Sequence, residues 1–357
     1  MIQGPLVDER ENEIMASPAT DDPEGLESST DYTKYGITDV PKFTVTTALG
    51  KSKTIAGLYA REWVFIVISA VNILTAIGLT IVRLVKVLED YPQSPDFTFT
   101  ILLLLNAGFC LFYVGHGVLR ERVYELYAFM AATLVVVMYC ILEYAVFNPS
   151  GHTTIKLARL IVACIMAPPN LVLAWIVAKN FGYLEFRIVG ASEFLQGLYR
   201  QAAIFSCLLK FDLQATSSLV LLALKEGTSV STLETVSLAV GLPFSLCWCL
   251  LGWITLRGEI KAGAYVFAIL GLLKPVYYLY KVISVYVEIA NDEQPSTTVT
   301  YSLLAATALG LLVWVVLMVE LVIVYNNFGK GLKERTKDVL ATETTGLLSN
   351  NRARWKP

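Results

Sequence analysis

Eight long apolar runs, at about 62–85, 98–119, 123–147, 158–178, 201–224, 235–256, 263–287 and 299–325, alternate with short polar joins. Each is close to the ~20 residues that cross ~30 Å of hydrocarbon at ~1.5 Å per residue. A soluble core helix keeps a charged face along its length, and these runs do not. The pattern predicts an all-α, polytopic transmembrane helical bundle of about eight spans. The fourth run contains Pro168 and Pro169 before Asn170, which predicts a kinked or broken span. The join at 180–199 mixes Phe181, Leu184, Phe186, Ile188, Phe194 and Leu195 with charges. It reads equally as a helix lying on the leaflet or as a connector with anchoring aromatics.

Composition sharpens this picture. Of 357 residues, 55% are hydrophobic and 16% charged, against about 25% charged in a soluble domain. The net charge of -2 averages an acidic head with basic membrane flanks, and it excludes nucleic acid as the main partner. Nine acids and one base fall between Met1 and Thr33. Residues 1–60 therefore read as a disordered acidic cytosolic tail, 61–326 as the transmembrane helical domain, and 327–357 as a second cytosolic tail. Fifteen Lys and Arg flank the spans on the side of the two tails and five on the other. That bias places both termini in the cytosol. No signal peptide precedes the first run, which would act as its own insertion signal.

Against this apolar background the few polar groups within the spans carry the functional reading. Lys210 and Asp212 in the fifth run and Lys274 in the seventh lie some 15–18 Å deep by helix rise. Asn72 and Asn170 fall near the same layer. A Lys or Asp at mid-bilayer costs about 2.5–3.5 kcal/mol, so these groups should face one another or a polar cavity. Asp212 with Lys274 is the expected pair. Lys210 and Asp212, two residues apart, point to different sides of their helix, so one needs a partner elsewhere. Cys207, Lys210, Gln214, Ser217 and Ser218 form one polar stripe, and Lys274, Tyr277, Tyr278, Lys281 and Glu288 another. Pro275 removes a backbone hydrogen bond to Gly271, which could leave carbonyls free for a ligand or ion. His116 and Glu320 toward the cytosolic ends and Glu143 toward the far end extend these groups into a staggered path for a solute, an ion or a proton. The competing reading is that buried ion pairs fix helix register without transport.

Other chemistry is missing. There is no nucleotide loop, zinc-protease motif or nucleophile elbow, and only His116 and His152 are present. The chain is read as a non-enzyme with no metal and no cofactor. All six cysteines sit in apolar runs, as small buried hydrophobes do. In the C-terminal tail, the basic patch from Lys330 to Lys337 suits anionic lipid. Beyond it, Glu343-Thr344-Thr345-Gly346-Leu347-Leu348 resembles the acidic dileucine class of sorting signals. That resemblance implies binding by clathrin adaptors and a lysosomal or late endosomal membrane, the plasma membrane being the alternative. Two functions follow: a small-solute or ion transporter of endolysosomal membranes, or a non-transporting receptor or scaffold that recruits partners through its tails.

Overall fold

The computed structural model describes residues 44–47, 50–53, 55–90, 95–142, 144, 154–222, 232–290 and 297–336. It is a multi-pass helical bundle. The helices are α1 (Ala60–Asp90), α2 (Pro95–Leu119), α3 (Val123–Leu142), α4 (Thr154–Lys179), α5 (Tyr183–Val189), α6 (Glu193–Leu222), α7 (Thr232–Gly258), α8 (Lys261–Gly271), α9 (Leu273–Ala290) and α10 (Thr297–Asn326). Among the described residues, seven stretches are long and apolar enough to cross a membrane, α8 and α9 together forming one of them, and α3 adds a shorter apolar segment at Val123–Met138. Apolar side chains point outward along these helices. On α1, Val64, Val67, Val71, Leu74, Ile81, Val85 and Leu88 are exposed, while Phe65 and Ile73 are buried. A surface of that kind is stable against acyl chains and not against water.

Ahead of α1, the described part of the segment read as a tail holds an antiparallel hairpin, β1 (Thr44–Thr47) and β2 (Gly50–Lys53). Lys53 ends it, and its ammonium lies 2.6 Å from both Glu62 and Glu121, with almost no exposure. These ion pairs tie the approach to α1 to the turn between α2 and α3.

The spans form two groups of four with the same neighbour relations. In the first half α1 packs on α2, α2 on α3, α3 on α4, and α4 returns to α1. In the second, α6 packs on α7, α7 on α8, α9 on α10, and α10 returns to α6. The halves meet where α6 lies against α2 and α3. Local detail repeats as well. The turn after α2 places Glu121 at φ 50°, and the turn after α7 places Glu259 at φ 50°. Both are left-handed residues closing a helix C-terminus. The fourth span of each half is followed by Asn-Phe-Gly, residues 180–182 and 327–329, with positive φ at Gly182 and Gly329. That bend sends the chain back toward its glutamate. Leu184 N–H donates to Glu121 at 2.8 Å, and Gly329 and Lys333 N–H donate to Glu259 at 2.8 and 3.0 Å. Because all these contacts gather at one end, the start of α1 and the end of α10 share a face of the bundle.

Three local expectations change. The helix through Pro168 and Pro169 runs unbroken from Thr154 to Lys179. The fifth span starts earlier than its apolar run at 201–224: within the 180–199 join α5 has seven residues, and α6 already begins at Glu193, with Leu195 N–H donating to Ser192 Oγ at 3.5 Å. The seventh span breaks at Leu272, three residues before Pro275, which thus sits in the first turn of α9, where its missing N–H matters least.

Candidate functional site

The two deep charges of α6, Lys210 and Asp212, part company, as their spacing required. Asp212 is fully buried and pairs with the ammonium of Lys274, itself only 3% exposed. Lys274 also donates to Thr216 Oγ1 at 3.1 Å and stands 3.9 Å from the centroid of the Trp248 ring. Thr216 and Tyr278 share a hydrogen bond of 2.9 Å. A charge held by an opposite charge, a hydroxyl and an aromatic face has most of its hydration replaced. One oxygen, Asp212 Oδ1, has no partner among the described residues. This cluster lies within the second half and lines none of the cavities described below.

Lys210 leaves that layer. Its ammonium reaches back to Glu125 in the first turn of α3, whose other oxygen lies 2.5 Å from His116 Nδ1. A four-carbon stem lets lysine keep its charge nearer the interface than its Cα. Lys210 also lies over the Phe112 ring at 5.4 Å, and Phe112 stacks on His116 at 5.1 Å. Glu125 is buried. It is the member of the candidate site that the sequence reading missed, because it resembles an ordinary flanking acid near the start of a span. The signal was available in the lysine left without a partner.

Two further members of the α6 stripe, Gln214 and Cys207, also face the first half. Gln214 Nε2 donates to Asn106 Oδ1 at 2.6 Å, and Tyr113 donates to Gln214 Oε1 at 3.0 Å. Cys207 Sγ donates to the Tyr124 carbonyl at 3.2 Å. The stripe read as the wall of a hydrated cavity is therefore a polar seam joining the two halves. It opens into space at the end that carries the turn glutamates. There a cavity of about 640 Å³ lies between α2 and α7 over α6, with the 332–336 segment across it. Lys210 and His116 form its inner wall, and Arg120, Arg122, Arg257 and Lys333 line it further out.

Other expected site residues lie elsewhere. Asn170 is buried in the first half and accepts from Ser69 at 3.0 Å, while Asn72 lines a separate space of about 90 Å³ with Arg159. Tyr277 bonds Ser237 at 3.3 Å, and Lys281 lies 5.8 Å from the Tyr277 ring. Glu320 is half-buried, with Oε2 unpartnered among the described residues. One layer of four spans thus resolves into distinct clusters rather than one midplane site. Nor is the carbonyl released by Pro275 free for a ligand: the Trp314 indole donates to the Gly271 oxygen at 2.9 Å, and Trp248 donates to Phe267 at 3.0 Å. Cys110, Cys140 and Cys207 are buried as expected, whereas Cys164 and Cys247 are exposed on the bundle. Glu143, the side chain of Glu288, Lys337 and the motif of Glu343, Leu347 and Leu348 lie outside the described residues.

No curated protein and no solved structure matches the chain. A family model matches residues 49–179 and 189–323, stretches that coincide with the first and second halves of the bundle. The chain belongs to the family described as domain of unknown function DUF7789.

Proposed function

We propose that the chain is a transporter that moves a small solute or ion across an endolysosomal membrane by motion of one four-helix half against the other. One observation carries this reading: two halves of matching topology meet along a polar seam that opens into a cavity at one end. Parallel structural repeats about an axis along the membrane normal are a common build for carriers, with the substrate bound between them. Lys210 and His116 line the cavity where it meets the seam, and Glu125 bonds both, so they are the groups a solute or proton would meet on passing from the cavity into the seam. The Asp212–Lys274 cluster serves as a rigid fixed point within the second half. The location rests on Glu343, Leu347 and Leu348, which suit the paired hydrophobic and basic pockets of an adaptor.

The test is flux. The purified chain in proteoliposomes is challenged with inorganic phosphate, amino acids, sugars and monovalent cations, with an entrapped pH dye reporting proton movement. Uptake of one of these that falls to background in K210M and E125Q supports the reading. Uptake unchanged in both variants removes the seam from the mechanism. No uptake of any of them by a folded chain favours the receptor or scaffold reading, in which the sealed ion pairs serve only to hold the helices in register.

A further inference from the structure

A second cavity, of about 430 Å³, lies where the first turns of α3, the bend after α4, α5 and the start of α6 converge. It shares no lining residue with the cavity on the seam. Gly182, at φ 151°, turns the chain out of α4 and into α5 at this point. The walls are mostly aromatic: Tyr124, Tyr127, Phe181 and Phe186 all line the space. The Tyr124 and Tyr127 rings lie 6.2 Å apart and meet at 82°, so they form two sides of a corner. Phe181 already lies 5.7 Å from an ammonium, that of Lys53. That ammonium stands between two carboxylates, Glu62 and Glu121, which leaves an excess of negative charge behind the ring.

Two charges of opposite sign complete the lining. Glu185 Oε1 accepts from Arg200 Nε at 2.9 Å. The other Glu185 oxygen and the outer N–H groups of Arg200 have no partner among the described residues. The cavity therefore presents a carboxylate oxygen and a guanidinium edge side by side. Its depth is marked by Trp175, exposed on α4 with Lys179 5.1 Å from its ring, and Tyr127 lies 6.0 Å from that tryptophan. Tryptophan, tyrosine and lysine gather at the level of lipid headgroups.

We infer that this cavity binds a phosphocholine group, its trimethylammonium in the tyrosine corner beside Phe186 and Glu185 and its phosphate at the outer edge of Arg200. A quaternary ammonium has no N–H to satisfy, so ring faces and a nearby carboxylate suffice to hold it. A primary ammonium needs three acceptors in place, and ring faces supply none of them. The guanidinium edge suits the phosphate that follows the choline. The cavity volume falls within the ~300–1,000 Å³ range of small-molecule sites. The same group is carried by a water-soluble choline phosphate ester and by the headgroup of phosphatidylcholine. The inference stands apart from transport and is tested by binding alone.

The purified full-length chain in a maltoside detergent is titrated with glycerophosphocholine, and separately placed in phosphatidylglycerol nanodiscs with graded phosphatidylcholine, while thermal unfolding is followed. The matching ethanolamine compound is run beside each. Saturable stabilisation by the choline form is expected in at least one arm, and the arm that responds names the source. The ethanolamine form should need about tenfold more or fail to saturate. Tyr127 and Phe186 are exposed, so Y127L/F186L should fold, and its half-saturating concentration should rise about tenfold. E185Q breaks only a surface pair and should also weaken binding. Y280L/Y286L removes two exposed rings from α9 and should bind as the parent does. The inference is overturned if neither choline source stabilises the chain or if the ethanolamine forms do so equally well. It is also overturned if Y127L/F186L and E185Q bind as the parent does, or if Y280L/Y286L weakens binding as much as they do.

Discussion

Replacing Lys274 by Met strips the counter-charge from a carboxylate with no exposure. Asp212 would keep no strong partner, because its second oxygen already has none and Thr216 bonds the lysine rather than the aspartate. Breaking a buried pair from one side costs about 3–5 kcal/mol. Asp212→Asn strands the ammonium in the same way, although the stacked Trp248 ring at 3.9 Å retains part of its stabilisation. D212N should therefore be the milder change. Removing both charges together leaves an apolar and an amide group of similar volume, which is often nearly neutral. Thermal unfolding in detergent, followed by tryptophan fluorescence, gives the cycle. Each single variant should lose on the order of 10 °C, and D212N/K274M should lie well above the sum of the two losses. Losses that simply add would refute the pairing as the reason these charges are tolerated.

The same assay reaches other parts of the bundle. Gly252→Ala would place a Cβ 2.6 Å from Phe267 and 2.8 Å from Leu209, whereas a Cβ at Gly78 meets nothing within 4 Å; the first should cost about 1–3 kcal/mol and the second should be neutral or mildly stabilising. Trp314→Phe leaves the Gly271 carbonyl without its donor. It should cost about 1–3 kcal/mol and raise hydrogen exchange around Leu272. Lys53→Met strands two buried carboxylates, Glu62 and Glu121, and should lower stability by about 3 kcal/mol or more. Leu347→Ala with Leu348→Ala should move the steady-state location to the plasma membrane, as read by microscopy. Retention on acidic organelles would take the address away from this tail.

The spans were legible because eight charge-poor stretches leave few alternatives in physical terms. The Asp212–Lys274 pair was legible because two ions in apolar surroundings must find each other. Depth was less legible. Lys210 was placed by its Cα, and the reach of its stem to Glu125 in the first turn of α3 carried its charge toward the interface. Proline effects were misplaced for a related reason: a proline states which hydrogen bond is lost but not which side chain replaces it, and Trp314 lies far from Pro275 in sequence. The repeat of the two halves left a faint trace in the chain, Asn180-Phe181-Gly182 against Asn327-Phe328-Gly329 and Leu119-Arg120 against Leu256-Arg257. Those short matches acquire meaning only once Glu121 and Glu259 are seen to receive the chain that follows each fourth span.

Accessibility along the seam tests the central claim most directly. Ser206 lines the cavity and Ser217 lies buried about three turns farther along α6. In a background without native cysteines, Ser206→Cys should react with an impermeant thiol reagent from the side of the turn glutamates. Ser217→Cys should react from the opposite side, more slowly, as the halves exchange positions. If Ser206→Cys reacts and Ser217→Cys is never reached from that side in a folded chain, the halves do not move apart there, and the transport account is contradicted.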